Sequence, residues 1–311
     1  MKLTMIESKP MPLHNFKSSI DFAAQERAYD LQIKERLTHL PILQEIDRLR
    51  ASDRYSDSKH LIPFGDKVYS QSDEDGIIRE IFNRIGTTSK QFVEFGIGNG
   101  LENNTLALLF EDWSGLWIDA STQSTNAIKK HFSKVIDNQR LKLAHSFITV
   151  ENINNLISSN ISTRDVDLLS VDIDGNDYHI IDAITCIDPR VIVVEYNAKF
   201  TPPILYCMDY DESHTWRKDD CFGASLKFFE VALADKGYHL VGCNISGVNA
   251  FFVRHDLVAD KFPAPFTAEY HYEPPRYYLS GYFAGHPATY KTLATSLTMR
   301  TAALPVTGNL A

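Results

Sequence analysis

Val93-Glu94-Phe95-Gly96-Ile97-Gly98-Asn99-Gly100 decides how the rest of the chain is read: a short apolar run breaks into glycines at every second position. Glycines there permit positive φ and bring the backbone close to a ligand, as happens between a strand and the helix that follows it. Before this stretch, Ile77, Ile78, Ile81, Phe82 and Ile85 recur at helical spacing behind Ser72, so a capped helix is expected over Asp73–Ile85, ended by Gly86. After it, a helix is expected over Asn103–Asp112. The order is therefore strand (Phe92–Phe95), glycine turn, helix. The dinucleotide pattern requires a third glycine three residues after the second, and Leu101 stands there instead.

Working outward, strand-like and helical segments alternate, which is the signature of a mostly parallel sheet covered by helices. Strands are expected at Gly115–Asp119, Leu141–Ile148, Asp167–Asp172 and Val191–Tyr196, with helices at Asn126–Ile136, Val150–Ser159 and Tyr178–Ile184. A further helix over Ala224–Lys236 ends at Gly237. A hairpin follows, Tyr238–Gly242 and Asn249–Arg254, joined through Asn244, Ser246 and Gly247. Five βα units closed by a hairpin give a seven-stranded Rossmann-like α/β sheet, mostly parallel with one antiparallel strand, and helices on both faces.

Flanking this domain, taken as residues 61–258, the sequence suggests a helical N-terminal extension (1–60) and a loop-rich C-terminal one (259–311). In the first, Leu31, Ile33, Leu37, Leu40, Leu43, Ile46 and Leu49 would form a stripe, with Pro41 as a break or kink. The stripe would pack on its own domain or join a second copy as a homo-oligomer. The second, with Pro263, Pro265, Pro274, Pro275 and Pro287 and tyrosines that include Tyr277, Tyr278 and Tyr282, would wrap the domain or cover it, and its last ten residues would fray.

The 311 residues are 44% hydrophobic and 23% charged, ample for a packed core. A net charge of −9, with no basic run longer than Lys129-Lys130, argues against a nucleic-acid partner, which needs a basic face to displace counterions. Cys186, Cys207, Cys221 and Cys243 are far apart and without CxxC pairing, so they read as reduced thiols. No apolar signal core and no run of about eighteen apolar residues is present, so a cytoplasmic protein with no membrane partner is expected.

Two groups of residues carry chemistry. Asp119 ends the second strand twenty-one residues after Gly98, where a carboxylate can accept both hydroxyls of a ribose; its alternative is a helix cap. Ser146 and Phe147, ending the third strand, would border an adenine or belong to the core. The second group begins with Asp172-Ile173-Asp174-Gly175-Asn176-Asp177. Alternation puts Asp172 and Asp174 on one face, where like charges are tolerated if they share a proton, hold a cation or meet a substrate amine or hydroxyl. Glu195 ends the neighbouring strand and would be the third acid. Asp177 reads equally well as the cap of the next helix. His214, in a loop expected to overhang this edge, is a candidate base or ligand, with His145 and His179 weaker candidates. Serine-hydrolase elbows, Walker loops and zincin motifs are absent.

Over about residues 69–254, the glycine turn from Glu94 to Gly100, the strand end Asp172–Gly175, Glu195 and Gly237-Tyr238 resemble the FkbM-type class I methyltransferases. Asp174 stands where many members have Glu, which marks a distinct subgroup. The resemblance implies S-adenosylmethionine as cofactor and O-methylation of a small molecule, commonly a sugar or natural-product hydroxyl. It implies cofactor contacts from Glu94, Gly96, Gly98, Gly100, Asp119, Ser146 and Asp172, with Glu94 at the methionine end. With the residues read above, Asp172, Glu195 and His214 are the catalytic candidates, and the divalent cation that some sugar O-methyltransferases of similar fold use makes Mg2+ on Asp172, Asp174 and Glu195 a hypothesis. Two rivals remain: a dinucleotide-dependent oxidoreductase on a similar sheet, and a non-catalytic interaction protein that kept the fold.

Overall fold

In the computed structural model, residues 37–282, 286 and 288–291 are described. The expected stripe positions Leu31 and Ile33, together with Phe283, Pro287 and the C-terminal ten residues, lie outside this set. In chain order the elements are α1 (residues 37–50), α2 (Glu74–Ile85), β1 (Gln91–Phe95), α3 (Leu106–Leu109), β2 (Ser114–Asp119), α4 (Thr122–His131) and α5 (Ser133–Asp137). Next come β3 (Leu141–His145), α6 (Ile153–Ser158), β4 (Asp165–Val171), α7 (Asp177–Ala183), β5 (Asp188–Glu195) and α8 (Leu226–Asp235). Then follow β6 (Tyr238–Cys243), β7 (Asn249–Arg254), α9 (His255–Val258) and α10 (Ala268–His271). Among the described residues no helix is long and apolar enough to cross a membrane.

The strands form a seven-stranded sheet in the order β3-β2-β1-β4-β5-β7-β6. The first five are parallel, and β7 runs antiparallel to both its neighbours, so the expected Rossmann-like methyltransferase architecture is present. The central strands are buried on both faces, as their continuous apolar runs require. One face packs Val93, Leu116 and Ile192 against helices that include α8, and the other packs Phe92, Trp117 and Val193 against helices that include α2.

Several local departures from the sequence reading have physical causes. The helix expected from Asn103 begins only at Leu106, because Asn103, Asn104 and Thr105 bond to the buried Glu94 carboxylate instead of continuing a helical ladder. The helix expected over 126–136 is two, parted at Phe132, and the first is capped by the Ser121 hydroxyl. Ser72 does not cap α2; its N–H donates to Glu74, and Asp73 takes the N-cap position, while Gly86 ends the helix at φ +72 as expected. Helix α1 continues through Pro41. Its packing stripe is Ile42, Ile46 and Leu49, against Ile245 and Leu279, while Leu37, Leu40 and Leu43 face outward.

At the N-terminal edge of the sheet, fully buried Asp167 ties β4 to β5 and to the segment leading into β1. It accepts from the backbone N–H groups of Thr88, Ser89 and Lys90, and pairs with Arg190 of β5 at 3.0 Å. A buried pair of this kind is held by the hydrogen bonds around it as much as by the Coulomb term. The four cysteines are free thiols.

Candidate functional site

Strand order reverses between β1 and β4, and in open α/β sheets ligands bind in the crevice outside the carboxyl ends at such a switch point. A cavity of about 1350 Å³ opens there. It exceeds the roughly 300–1,000 Å³ usual for one small ligand, so it has room for two.

One end of the cavity is built on the glycine turn. Gly96 has φ +71, donates to the Ile118 carbonyl at 3.1 Å, and lies so close to β4 that a Cβ would stand 1.6 Å from the Asp172 carbonyl oxygen. Gly98 has φ +53, and nothing lies within 4 Å of the place its Cβ would take. Its N–H donates to Asp119 Oδ2 at 2.8 Å, and Asp119 Oδ1 accepts from Ser121 at 2.7 Å. The turn and the acid at the end of β2 are therefore one unit, and Asp119 lines the cavity. Ser146 and the half-exposed Phe147 border the same end. Glu94, Gly96, Gly98, Asp119, Ser146 and Asp172 thus line one cavity. Gly100 does not: its Hα side faces Trp117 and Ile128 in the core.

Glu94 is buried and saturated. Its Oε1 accepts from Asn104 N–H at 2.8 Å and the Ser170 hydroxyl at 3.4 Å. Its Oε2 accepts from Asn103 Nδ2 at 2.7 Å, from Thr105 N–H at 3.2 Å and from the Thr105 hydroxyl. Burial pushes its carboxyl up, and these donors oppose the shift.

The other end holds the acids. Ligand atoms of Asp172, Asp174 and Glu195 all lie within 4.8 Å of one another, so the three expected acids meet. Burial pushes Asp172 and Glu195 well above the usual carboxylate range, and the neighbouring acids push in the same direction. Glu195 Oε2 is buried and accepts from no N–H or hydroxyl donor among the described residues, while the Asp172 and Glu195 carboxyls lie within hydrogen-bond reach of each other when one is protonated. Asp174 sits at φ +55, a left-handed conformation uncommon outside glycine, and this turns the strand end sharply. Asp177 braces that turn by accepting from Ile173 and Gly175 N–H, both at 2.9 Å; it is the first residue of α7, whose N-cap position is Asn176, so it does not cap the helix as the sequence suggested but holds the turn before it.

His214 reaches the cavity from the long connection after β5. Its Nε2 lies 3.1 Å from the Asp174 carbonyl. A carbonyl only accepts, so Nε2 carries the hydrogen and Nδ1 is the basic atom. The ring lies over Gly175, where a Cβ would stand 2.2 Å from Cδ2. Buried Asn176 fixes the same connection, donating to the Asp211 carbonyl at 2.7 Å. His145 and His179 lie outside the cavity lining, bonded to the Ala120 and Met208 carbonyls.

Several lining residues were not singled out as site residues by the sequence, among them Trp216, Pro275 and Tyr277. Trp216 comes from the connection after β5, while Pro275 and Tyr277 come from the C-terminal extension, far away in the chain. That wall is pinned by buried Glu273, which accepts from Tyr55 at 2.6 Å and pairs with Arg54 at 3.1 Å and Arg276 at 2.8 Å. Residues of both extensions therefore meet at Glu273, just before the C-terminal residues that line the cavity. Nothing local marks such a junction.

No protein-family model and no curated protein matches the chain. Among solved structures it is similar to a protein of Staphylococcus aureus assigned as a caffeoyl-CoA O-methyltransferase: 12% identity, 68% of this chain and 97% of that one, TM-score 0.42. It is also similar to the magnesium protoporphyrin IX methyltransferase of Synechocystis PCC 6803 with bound S-adenosylmethionine: 11% identity, 68% and 96%, TM-score 0.39. A third is an S-adenosylmethionine-dependent methyltransferase of Clostridium acetobutylicum ATCC 824: 13% identity, 60% and 92%, TM-score 0.36. The functional reading therefore stands on the chain's own geometry.

Proposed function

We propose that this chain is an S-adenosylmethionine-dependent O-methyltransferase acting on a hydroxyl of a small molecule, a sugar or natural product. One observation carries the reading: a single cavity joins the glycine turn with Asp119 to the acids Asp172 and Glu195. The turn fits the cofactor. Gly98 leaves open space beside it, Asp119 offers acceptors for a ribose, and the exposed Phe147 ring offers a face to an adenine.

When bound, the cofactor supplies an electrophilic methyl on a sulfonium sulfur. The protein's own part is to hold the acceptor oxygen in line with that methyl and to exclude water, which accounts for much of the catalysis in such displacements. Asp172 takes the hydroxyl proton, and Glu195 beside it shares the charge. The same acids fit a divalent cation, because they are hard oxygen donors clustered within 4.8 Å and Glu195 Oε2 accepts from no N–H or hydroxyl donor among the described residues. A cation there would lower the pKa of the hydroxyl. Loss of activity in EDTA, restored by Mg2+, is the result expected of that arrangement; full activity in EDTA rules it out.

The reading is tested by thermal shift with S-adenosylhomocysteine and NAD, since a ligand that binds only the native state raises its melting point. Stabilisation by the first alone is expected. Stabilisation by NAD alone selects an oxidoreductase, and by neither an interaction protein. Asp119→Ala should weaken S-adenosylhomocysteine about 10- to 100-fold by calorimetry, the loss of charge-assisted hydrogen bonds to the ribose. It should weaken adenosine by a similar factor.

A further inference from the structure

Asn103 is 7% exposed, lies in the cavity wall beyond the glycine turn, and has a buried Oδ1 with no hydrogen-bond partner. Its orientation is fixed. Nδ2 donates to Glu94 Oε2 at 2.7 Å, and a carboxylate there only accepts, so the amide nitrogen faces Glu94 and the oxygen faces the other way. Glu94 has no spare capacity for a ligand, since five donors already converge on its two oxygens. Leaving a buried acceptor unpaired is costly, which makes an orphan on a rigidly held side chain of a cavity-lining residue a mark of an absent donor.

Resting on the methyltransferase reading, we propose that Asn103 Oδ1 is the acceptor for the α-ammonium of the cofactor's methionine moiety, and that Glu94 positions Asn103 instead of contacting that group itself. The assignment has an internal logic. Glu94 also binds Asn104 and Thr105, and Thr105 in turn accepts from Trp117 Nε1 at 2.8 Å. The segment after the glycine turn is thus kept out of the helix so that residue 103 can turn its amide to the ligand. The acid before the turn acts through the loop it organises.

The test compares two probes, S-adenosylhomocysteine, which has the amino-acid moiety, and 5′-methylthioadenosine, which lacks it, by titration calorimetry. Asn103→Ala and the nearly isosteric Asn103→Leu should each weaken S-adenosylhomocysteine about 10- to 100-fold, the loss of a hydrogen bond to a charged group, and leave methylthioadenosine unchanged. The Leu variant, with its melting temperature recorded, covers the case in which the Ala variant fails to fold. Glu94→Gln should give the same selective loss, because an amide cannot accept from all five donors. Equal weakening of both probes, or of neither, overturns the proposal. Wild-type protein that binds neither probe overturns the methyltransferase reading with it, so the two failures are distinguishable.

Discussion

Gly96→Ala should give a protein that no longer binds S-adenosylhomocysteine measurably and that loses roughly 2–5 kcal/mol of stability to urea. The figure combines about 1–2 kcal/mol for an L-residue in the left-handed region with about 1–3 kcal/mol for overpacking. The second term arises because the new methyl would stand 1.6 Å from the Asp172 carbonyl, so β1 or β4 must move. Either movement separates the glycine turn from the acids. Gly98→Ala is the matched control: its φ is also positive, at +53, but its surroundings are open, so only the smaller backbone cost applies. If the two variants lose equal stability, the close approach of the turn to β4 is not the constraint described.

Asp172→Asn should lower turnover about 10²- to 10⁴-fold, the range for a lost general base, with little change in affinity for S-adenosylhomocysteine. An amide of the same shape keeps the packing but cannot take a proton. Its neutral charge also relieves the repulsion that Asp174, Asp177 and Glu94 exert on this carboxyl, so the variant should be no less stable than the wild type. Turnover equal to wild type would remove Asp172 from the chemistry. Reduced affinity with unchanged turnover would make it a binding residue only.

The seven strands and their mostly parallel arrangement were legible because buried strands must be continuous apolar runs and each βα unit announces its turn, as at Phe95-Gly96 and Ser170–Gly175, whereas the strand order comes from the structure. The meeting of Asp172, Asp174 and Glu195 was legible from the adjacency of β4 and β5, although Asp172 and Asp174 lie past the end of β4 and a left-handed turn at Asp174, rather than strand alternation, brings the second acid in. Asn103 was not, because its residue type and position suit a helix start, and only the buried charge of Glu94 explains why the helix waits until Leu106. Gly100 misled for a related reason. A glycine in a motif reads as room for a ligand, whereas here it makes room for Trp117. The α1 stripe was misjudged because seven apolar positions fit a helical face and only contact decides which of them pack.

Asp167 and its ring of donors sit at the edge of the sheet remote from the cavity. Cohesion and chemistry are therefore housed at opposite poles, and the connection between β5 and α8 can be exchanged without touching the fastening. Chimaeras carrying a foreign loop over residues 209–222 should keep the parent's melting behaviour while changing which acceptors are admitted, the division of labour that lets one scaffold diversify.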